Sequence, residues 1–442
     1  MNVLIKQDSK IFEKQEQRNL EDPFEGYFTR ISEWQTDKDS LLDTPSAYQW
    51  LGIINWGIRN KLYSYQQPFQ SKSGLKVTLN GNEYLMVSSY DYLGLIGHPL
   101  VEAAAASAIY KYGTGTGGVR LLTGSTELHK NFENELAEFK GTEASMTFTS
   151  GYIANIAIIS SLLSPRDRVI LDSKVHTSIV HACKLAHVPV LRFEHNSIES
   201  LEERLKSKPR GRKTLIVAEG IYSMDGDICP LPELIEMKKK YKSFLMIDEA
   251  HSFGVLGKNG RGVDEFFGVN TSDIDIWMGS LSKAIPSNGG FVAGAKDLII
   301  YLQHGSAPFM FSAALNPASV AAARESLKIL RMEPGRIKKL HQNSAYLRYQ
   351  LNKLKFNTGN SVSPVIPVIL GNDENAYRFA KALYEKGIFA SAIVKPAVPK
   401  GSARLRLCAT FKQDLEFLDL VIKGFEEIAS SLKGRPPRKG DV

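Results

Sequence analysis

Between Ser145 and Gly294 the chain alternates short β-forming runs with helical stretches, and this rhythm restricts the fold more than any single motif does. The runs fall at residues 146–149, 169–171, 190–193, 215–218, 244–247, 274–278 and 291–293. Most are continuously apolar rather than alternating, as expected of strands covered on both faces. Strands joined through helices lie parallel, so the expected fold is α/β, with a mainly parallel seven-stranded sheet between helices. Upstream, residues 84–87 read as a strand and 99–112 as a helix, followed by the loop Gly113-Thr-Gly-Thr-Gly-Gly118. After Pro317 two long helical patterns lead to strands at 365–370 and 404–408, with helices at 375–386 and 415–432, the order of a smaller C-terminal α+β domain. The expected division is an N-terminal arm (1–75), a large domain (76–316) and a small domain (317–442).

A chain of 442 residues suits two or three such units, and 43% hydrophobic with 23% charged residues describes an ordinary soluble globular protein. Apolar stretches fall short of the ~20 residues that span a bilayer, and the opening residues lack a secretory apolar region, so a cytoplasmic protein without a transmembrane segment is expected. Cys183, Cys229 and Cys408 are far apart and lack metal-ligand spacing, which argues against a disulfide framework or a metal site. The net charge of +8 is concentrated at 206–213, 238–240 and 433–439 without interleaved aromatics. That pattern fits solvated faces or an acidic partner such as a phosphorylated acyl carrier, with no nucleic acid.

Two clusters carry chemistry. Asp248-Glu-Ala-His251 follows the run 244–247, where a buried strand ends and a loop begins, and α/β enzymes place ligands at that edge. Ser280-Leu-Ser-Lys283 follows the next run, roughly 35 residues later. Each lysine or aspartate alone reads as a surface residue or a helix cap. Together, an aspartate able to pair with a protonated pyridine nitrogen and a lysine able to form an imine suit pyridoxal phosphate. Two other motifs compete. Gly113 to Gly118 satisfies the nicotinamide-type Gly-x-Gly-x-x-Gly but follows a helix instead of a strand. Ser280 to Lys283 satisfies Ser-x-x-Lys of serine acyl enzymes, yet the one Lys-Ser-Gly, at 72–74, precedes it.

From about residue 75 to the end, the chain resembles the α-oxoamine synthase family of pyridoxal-phosphate enzymes. The matching motifs, in the family's order, are Tyr92-Leu-Gly-Leu95, Gly118-Val-Arg120, Leu128-His129, Ser150-Gly-Tyr152, Ser223-Met-Asp-Gly-Asp227, Asp248-Glu-Ala-His251, Ser280-Leu-Ser-Lys283 and Val398-Pro-Lys-Gly401-Ser-Ala-Arg404-Leu-Arg406. The resemblance implies a fold-type I transferase and a decarboxylative condensation of an amino acid with an acyl thioester, on coenzyme A or a carrier protein. The products would be an α-amino ketone, carbon dioxide and free thiol. It assigns Lys283 the imine, Asp248 the ring nitrogen, His251 the ring oxygen, His129 the ring face and Arg406 the amino-acid carboxylate. Gly151, Tyr152 and Ser280 would hold the phosphate, Ser223 would lie near the ring, and Ser312 would reach the partner's phosphate in a homodimer with shared sites. Arg404 is expected on the opposite strand face from Arg406. The alternative is an aminotransferase of the same fold. Tyr90 departs from the Asn common in the family and is similar to the sphingoid-base branch, which points to a lipid or secondary-metabolite enzyme.

Overall fold

In the computed structural model, which describes residues 40–207 and 213–431, the alternating runs become the strands of one sheet. Most of the N-terminal arm, the centre of the basic run at 206–213 and the basic tail at 433–439 lie outside the described residues. The described chain begins with helix α1 (Pro45–Arg59) and the hairpin β1 (Lys76–Leu79) and β2 (Asn82–Met86). Next come α2 (Pro99–Tyr112), α3 (Glu127–Lys140), β3 (Ala144–Phe148), α4 (Gly151–Leu162), β4 (Arg168–Asp172), α5 (Thr177–Leu185), β5 (Val190–Phe193), α6 (Ile198–Lys206), β6 (Thr214–Glu219), α7 (Leu231–Tyr241), β7 (Phe244–Asp248), α8 (Val263–Phe267), β8 (Ile276–Ser282) and β9 (Pro286–Gly294). The rest comprises α9 (Lys296–Gly305), α10 (Ala307–Met310), α11 (Pro317–Met332), α12 (Gly335–Lys353), β10 (Val365–Gly371), α13 (Asp373–Glu385), β11 (Ile388–Phe389), β12 (Ala392–Ile393), β13 (Ala403–Cys408) and α14 (Leu415–Ser431).

The large sheet has seven strands in the order β3-β9-β8-β7-β6-β4-β5, and every pairing is parallel except those of β9. The exception follows from chain length. Only residues 283–285 separate β8 from β9, and so short a connection permits an antiparallel hairpin and no crossover. Pairing with β9 also carries β8 on to Ser282, beyond the apolar run at 274–278 that marks it in the sequence. Both faces are apolar. Ile170, Ile216, Leu245, Ile247 and Trp277 enter the core on one side, while Val169, Leu171, Val217, Met246 and Met278 enter it on the other. All three cysteines are buried free thiols.

Two pairings cross the boundaries expected from sequence. The β1–β2 hairpin joins β11 in a three-stranded sheet, with Ile388 beside Leu85, so residues 76–86 associate with the C-terminal part and not with the large sheet. Helix α11 packs on α2, α3 and β9, placing its residues against the large domain despite their position after 316. The remaining sheet, β10-β13-β12, holds β13 at its centre.

Two buried charge clusters tie the loops to this frame. Lys140, the last residue of α3, is fully buried, with its ammonium 2.8 Å from both Glu249 and Asp264 and 3.5 Å from the centroid of the Trp277 ring. Burial pushes the Glu249 carboxyl up to about 7 although Lys140 acts in the opposite direction. The second cluster surrounds His195, whose Nδ1 is 3.0 Å from Asp172 and whose Nε2 is 2.6 Å from Asp227. An imidazole bonded to carboxylates through both nitrogens is an imidazolium. Burial would lower its pKa, but the two carboxylates outweigh burial and raise it to about 9. The clamp's stability is therefore complete below the ordinary histidine value of about 6.5 and disappears as pH rises through about 9. Thermal unfolding followed between these limits should show the native protein losing stability, with His195→Gln lacking that slope; parallel curves would refute the assignment.

Candidate active site

The carboxyl ends of β4, β6, β7 and β8 converge on one place, where the loops of a parallel sheet diverge and leave a crevice. Asp248 is the last residue of β7, and its neighbour in the sheet is Glu219, the last residue of β6. Lys283 occupies the short turn between β8 and β9, a rigid mount for a long side chain. Burial pulls the Lys283 ammonium below its usual pKa, while Asp248 and Glu219 act to raise it. Glu219 is itself pushed well up by burial first and then by the Asp248 charge. It accepts the backbone N–H of His176 at 2.5 Å. Asp248 accepts the Ala250 N–H at 2.9 Å and the Asn155 side-chain amide at 3.0 Å.

His251 is buried and lies 2.7 Å through Nδ1 from the Tyr92 hydroxyl, which fixes its ring. Burial holds its pKa well below 6.5, with Lys283 and His176 acting the same way, so the imidazole is neutral. His176 completes the group. Burial lowers its pKa, and the charges acting on it are those of Asp248, Lys283 and His181.

The expected role of His129 is not supported by its position. Its Nδ1 is 2.7 Å from the Thr126 hydroxyl and its Nε2 2.7 Å from the Leu315 carbonyl. The charges around it are Arg120, Glu133 and Lys130, and none belongs to the Lys283 group. His129 anchors the 313–315 segment, whereas His176 is the histidine on which Asp248 and Lys283 act. The sequence held a signal for His176. It caps α5 just past the carboxyl end of β4, the same topological position that singled out Asp248. Asn155 and Glu219 were also missed, because polar residues within apolar runs read as ordinary parts of a helix or a strand.

Ser150 caps α4 by accepting the Ile153 N–H at 3.2 Å, leaving the Gly151 and Tyr152 amides at the positive helix end. Close packing requires glycine at 290 and leaves little room for a side chain at 151. A Cβ on Gly290 would lie 2.5 Å from the Gly151 Cα, and a Cβ on Gly151 would lie 3.1 Å from Met278 and 3.6 Å from the Ser280 Cβ. The helix terminus thus sits directly against Ser280 on β8, an arrangement that suits an anion such as a phosphate.

The small domain adds arginines through β13. Arg404 and Arg406 are two residues apart and share a strand face, contrary to the opposite faces expected from sequence, because side chains alternate with period two. Both reach the loop after β6. Arg404 donates to the Met224 carbonyl at 2.9 Å and to Asp225 at 3.0 Å, while Arg406 donates to the Ser223 carbonyl at 3.3 Å. Ser223 meets Arg406 through its backbone. Tyr90 stacks on the Arg406 guanidinium at 4.5 Å and stands edge-on to His251 at 5.7 Å. Arg406 is buried, and no carboxylate among the described residues pairs with it. Ser312 is half-buried next to the exposed Phe311 and lines a small pocket with Phe148 and Thr149, just before Ser150.

The family model for class I and II aminotransferases matches residues 82–418. An 8-amino-7-oxononanoate synthase from Thermoanaerobacter pseudethanolicus is 41% identical over 85% of this chain and 94% of its own length. Another from Bacillus subtilis, 8-amino-7-oxononanoate synthase 1, is 39% identical over 83% of this chain and 93% of its own. A serine palmitoyltransferase from S. paucimobilis, solved with pyridoxal phosphate and myriocin, superimposes with a TM-score of 0.85 at 30% identity, covering 89% of this chain and 99% of that one. The chain belongs to the α-oxoamine synthases. It has the fold-type I architecture and is a pyridoxal-phosphate-dependent acyltransferase. The residues present fit the cofactor. A helix terminus packed against Ser280 suits its phosphate, and the neutral His251 and the carboxylate of Asp248 suit its polar ring atoms. Asn155 Oδ1, buried beside Asp248, has no hydrogen-bond partner among the described residues.

Proposed function

We propose that this α-oxoamine synthase grips its amino acid by the carboxylate through Arg406, condenses it with an acyl thioester, and releases carbon dioxide and thiol. The supporting observation is the buried Arg406 guanidinium, held by a carbonyl, a thioether and the Tyr90 ring, with no carboxylate of the described residues against it. A buried cation without an anion is costly, and a bound carboxylate would compensate it. Burial lowers the Arg406 pKa, though a guanidinium stays charged throughout the working range.

When bound, pyridoxal phosphate supplies an aldehyde for the amino group and a conjugated ring that accepts the electron pair released at the α carbon. Lys283 would hold the aldehyde at rest, and its lowered pKa makes the freed amine a base for the α proton. Asp248 would keep a proton on the ring nitrogen. His251 would donate toward the ring oxygen and His176 would cover one ring face. Gly151, Tyr152 and Ser280 would bind the phosphate. Arg406 orients the carboxylate so that the bond to be broken stands correctly. Ser312, beside the exposed Phe311, is offered to the phosphate of a second copy in a homodimer. No described helix is long and apolar enough to cross a membrane, and we place the enzyme in the cytoplasm.

Carboxyl-labelled amino acid incubated with an acyl thioester should release labelled carbon dioxide and free thiol in equal amounts. Retention of the label with transfer of the amino group to a keto acid would instead identify an aminotransferase. Arg406→Ala should weaken amino-acid binding by about 2 kcal/mol, read from the KM for the amino acid. His176→Ala should lower turnover by about 10²-fold. His129→Ala should lower thermal stability by about 1–3 kcal/mol of lost buried hydrogen bonding while the cofactor remains bound. The reverse pattern would return the ring-covering role to His129.

A further inference from the structure

The loop that joins β6 to α7 holds the Arg406 head, through the Ser223 carbonyl at 3.3 Å and the Met224 thioether at 3.8 Å. The same loop binds Arg404 through Met224 and Asp225, and Asp225 also lies 3.1 Å from the Lys174 ammonium. Main-chain contacts fold it on itself. The Tyr222 N–H donates to the Asp227 carbonyl at 3.0 Å, the Gly226 N–H donates to the Tyr222 carbonyl at 2.9 Å, and Ile221 bridges to Ile228. At its tip Gly226 has φ of +71°, and a Cβ there would lie 1.9 Å from the Val365 carbonyl oxygen, so the tip is wedged against β10. Its base is tied to the large sheet by His195, which bonds Asp172 at the end of β4 and Asp227 in the loop. Asn196 reinforces the tie, donating its backbone N–H to Asp172 at 2.9 Å and its side-chain amide to Asp227 and to the Ile228 carbonyl, both at 3.1 Å.

We infer that His195 is a positioning residue for the substrate carboxylate: by joining Asp172 to Asp227 it fixes the loop whose Ser223 carbonyl and Met224 thioether set the orientation of Arg406. The inference rests on the carboxylate grip proposed above. A guanidinium receives a carboxylate through two parallel N–H bonds only while its fork is aimed. The Tyr90 ring restrains the guanidinium plane, and rotation within that plane is set by what the N–H groups meet, which is the loop. An imidazolium suits the clamp because it donates to both carboxylates at once, whereas a neutral ring has one donor and leaves one of two like charges unsatisfied. The charged groups facing the ring are Asp172 from β4 and Asp227 from the loop. The third titratable neighbour is Tyr222, edge-on at 4.4 Å, and burial pushes its phenol well above the usual value, so it stays neutral. The next charges outward, Lys174, Asp225 and Arg404, are bound to one another.

The test titrates the cofactor-loaded protein with acetate and propanoate, carboxylates that carry no amino group of their own, and reads their dissociation constants by calorimetry from about pH 7 to about pH 10. The folded-state pKa of about 9 lies above the ordinary 6.5, so the clamp is whole near neutrality and opens as pH rises through about 9. The native protein should therefore bind both probes about tenfold more weakly at the top of the range than at the bottom. His195→Gln and Asp227→Asn should each show the weak value already at neutrality, with no further change on raising the pH, and the double variant should be no worse than either. Cofactor affinity should stay as in the native protein, which separates a misaimed arginine from a general loosening of the site. Arg406→Ala is the control and should weaken both probes at every pH; if it does not, the carboxylate grip fails and His195 has nothing to position. If Arg406→Ala weakens the probes while the two clamp variants bind them as the native protein does, the grip stands and the inference is overturned. A pH-dependent loss of native size in the clamp variants would assign the effect to another group and overturn it as well. The native series needs no variant, and a flat one refutes the role of His195 by itself.

Discussion

Lys283→Ala is expected to abolish turnover, with a loss of at least about 10³-fold, and to leave a folded protein that binds pyridoxal phosphate only through reversible contacts. The reason lies in the mount. Lys283 sits in the turn between β8 and β9, where the backbone is fixed by the pairing of Ser282 with Pro286 on either side. Asp248 and Glu219, at the ends of neighbouring strands, are the acidic groups that act on it. The substitution shortens a half-buried side chain at the crevice, so the core is not disturbed. Borohydride reduction of the loaded native protein, followed by peptide mapping, should place the cofactor on Lys283. A second labelled lysine, or substantial activity in the alanine variant, would show that the turn does not carry the reaction.

Lys140→Ala should destabilise the fold by about 3–5 kcal/mol, a large part of the 5–15 kcal/mol typical of a domain. Removing the ammonium leaves Glu249 and Asp264 facing each other without a cation and removes the contact with the Trp277 ring. The effect should reach the active site, because Glu249 is bonded to its neighbours behind Asp248, accepting the Val263 N–H at 2.7 Å. Lys140→Met, which keeps the length, should recover little, since the missing element is charge. Chemical denaturation of the three proteins would decide the matter, and losses below about 1 kcal/mol would mean that the acids are neutral in the native state.

The large sheet was legible because its strands are buried on both faces and so appear as unbroken apolar runs between helices. Asp248, His251 and Lys283 were legible for a related reason, as polar residues that end such runs. Local patterns reach no further than one element and its turn. The partnership of β2 with β11 depends on residues at opposite ends of the chain, and neither strand signals the other. His129 and His176 illustrate the limit within the site. Each is a helix-terminal histidine, and only the course of the backbone shows that one meets the Leu315 carbonyl and the other the lysine. The Arg404 misreading had a different source, since period-two alternation itself places both arginines on one face.

Tyr84 and Met86 of β2 are buried against Phe389, whose residue leaves the ribosome roughly 300 positions after them. Through most of synthesis the β1–β2 hairpin therefore has an unpaired edge and an uncovered apolar face, the state in which strands join the wrong partners. The large sheet, complete by Gly294, can assemble in the meantime. The last of the three strands closes a loop that encloses the entire large sheet, so the two ends of the enzyme are brought into register after Lys283 is already in place.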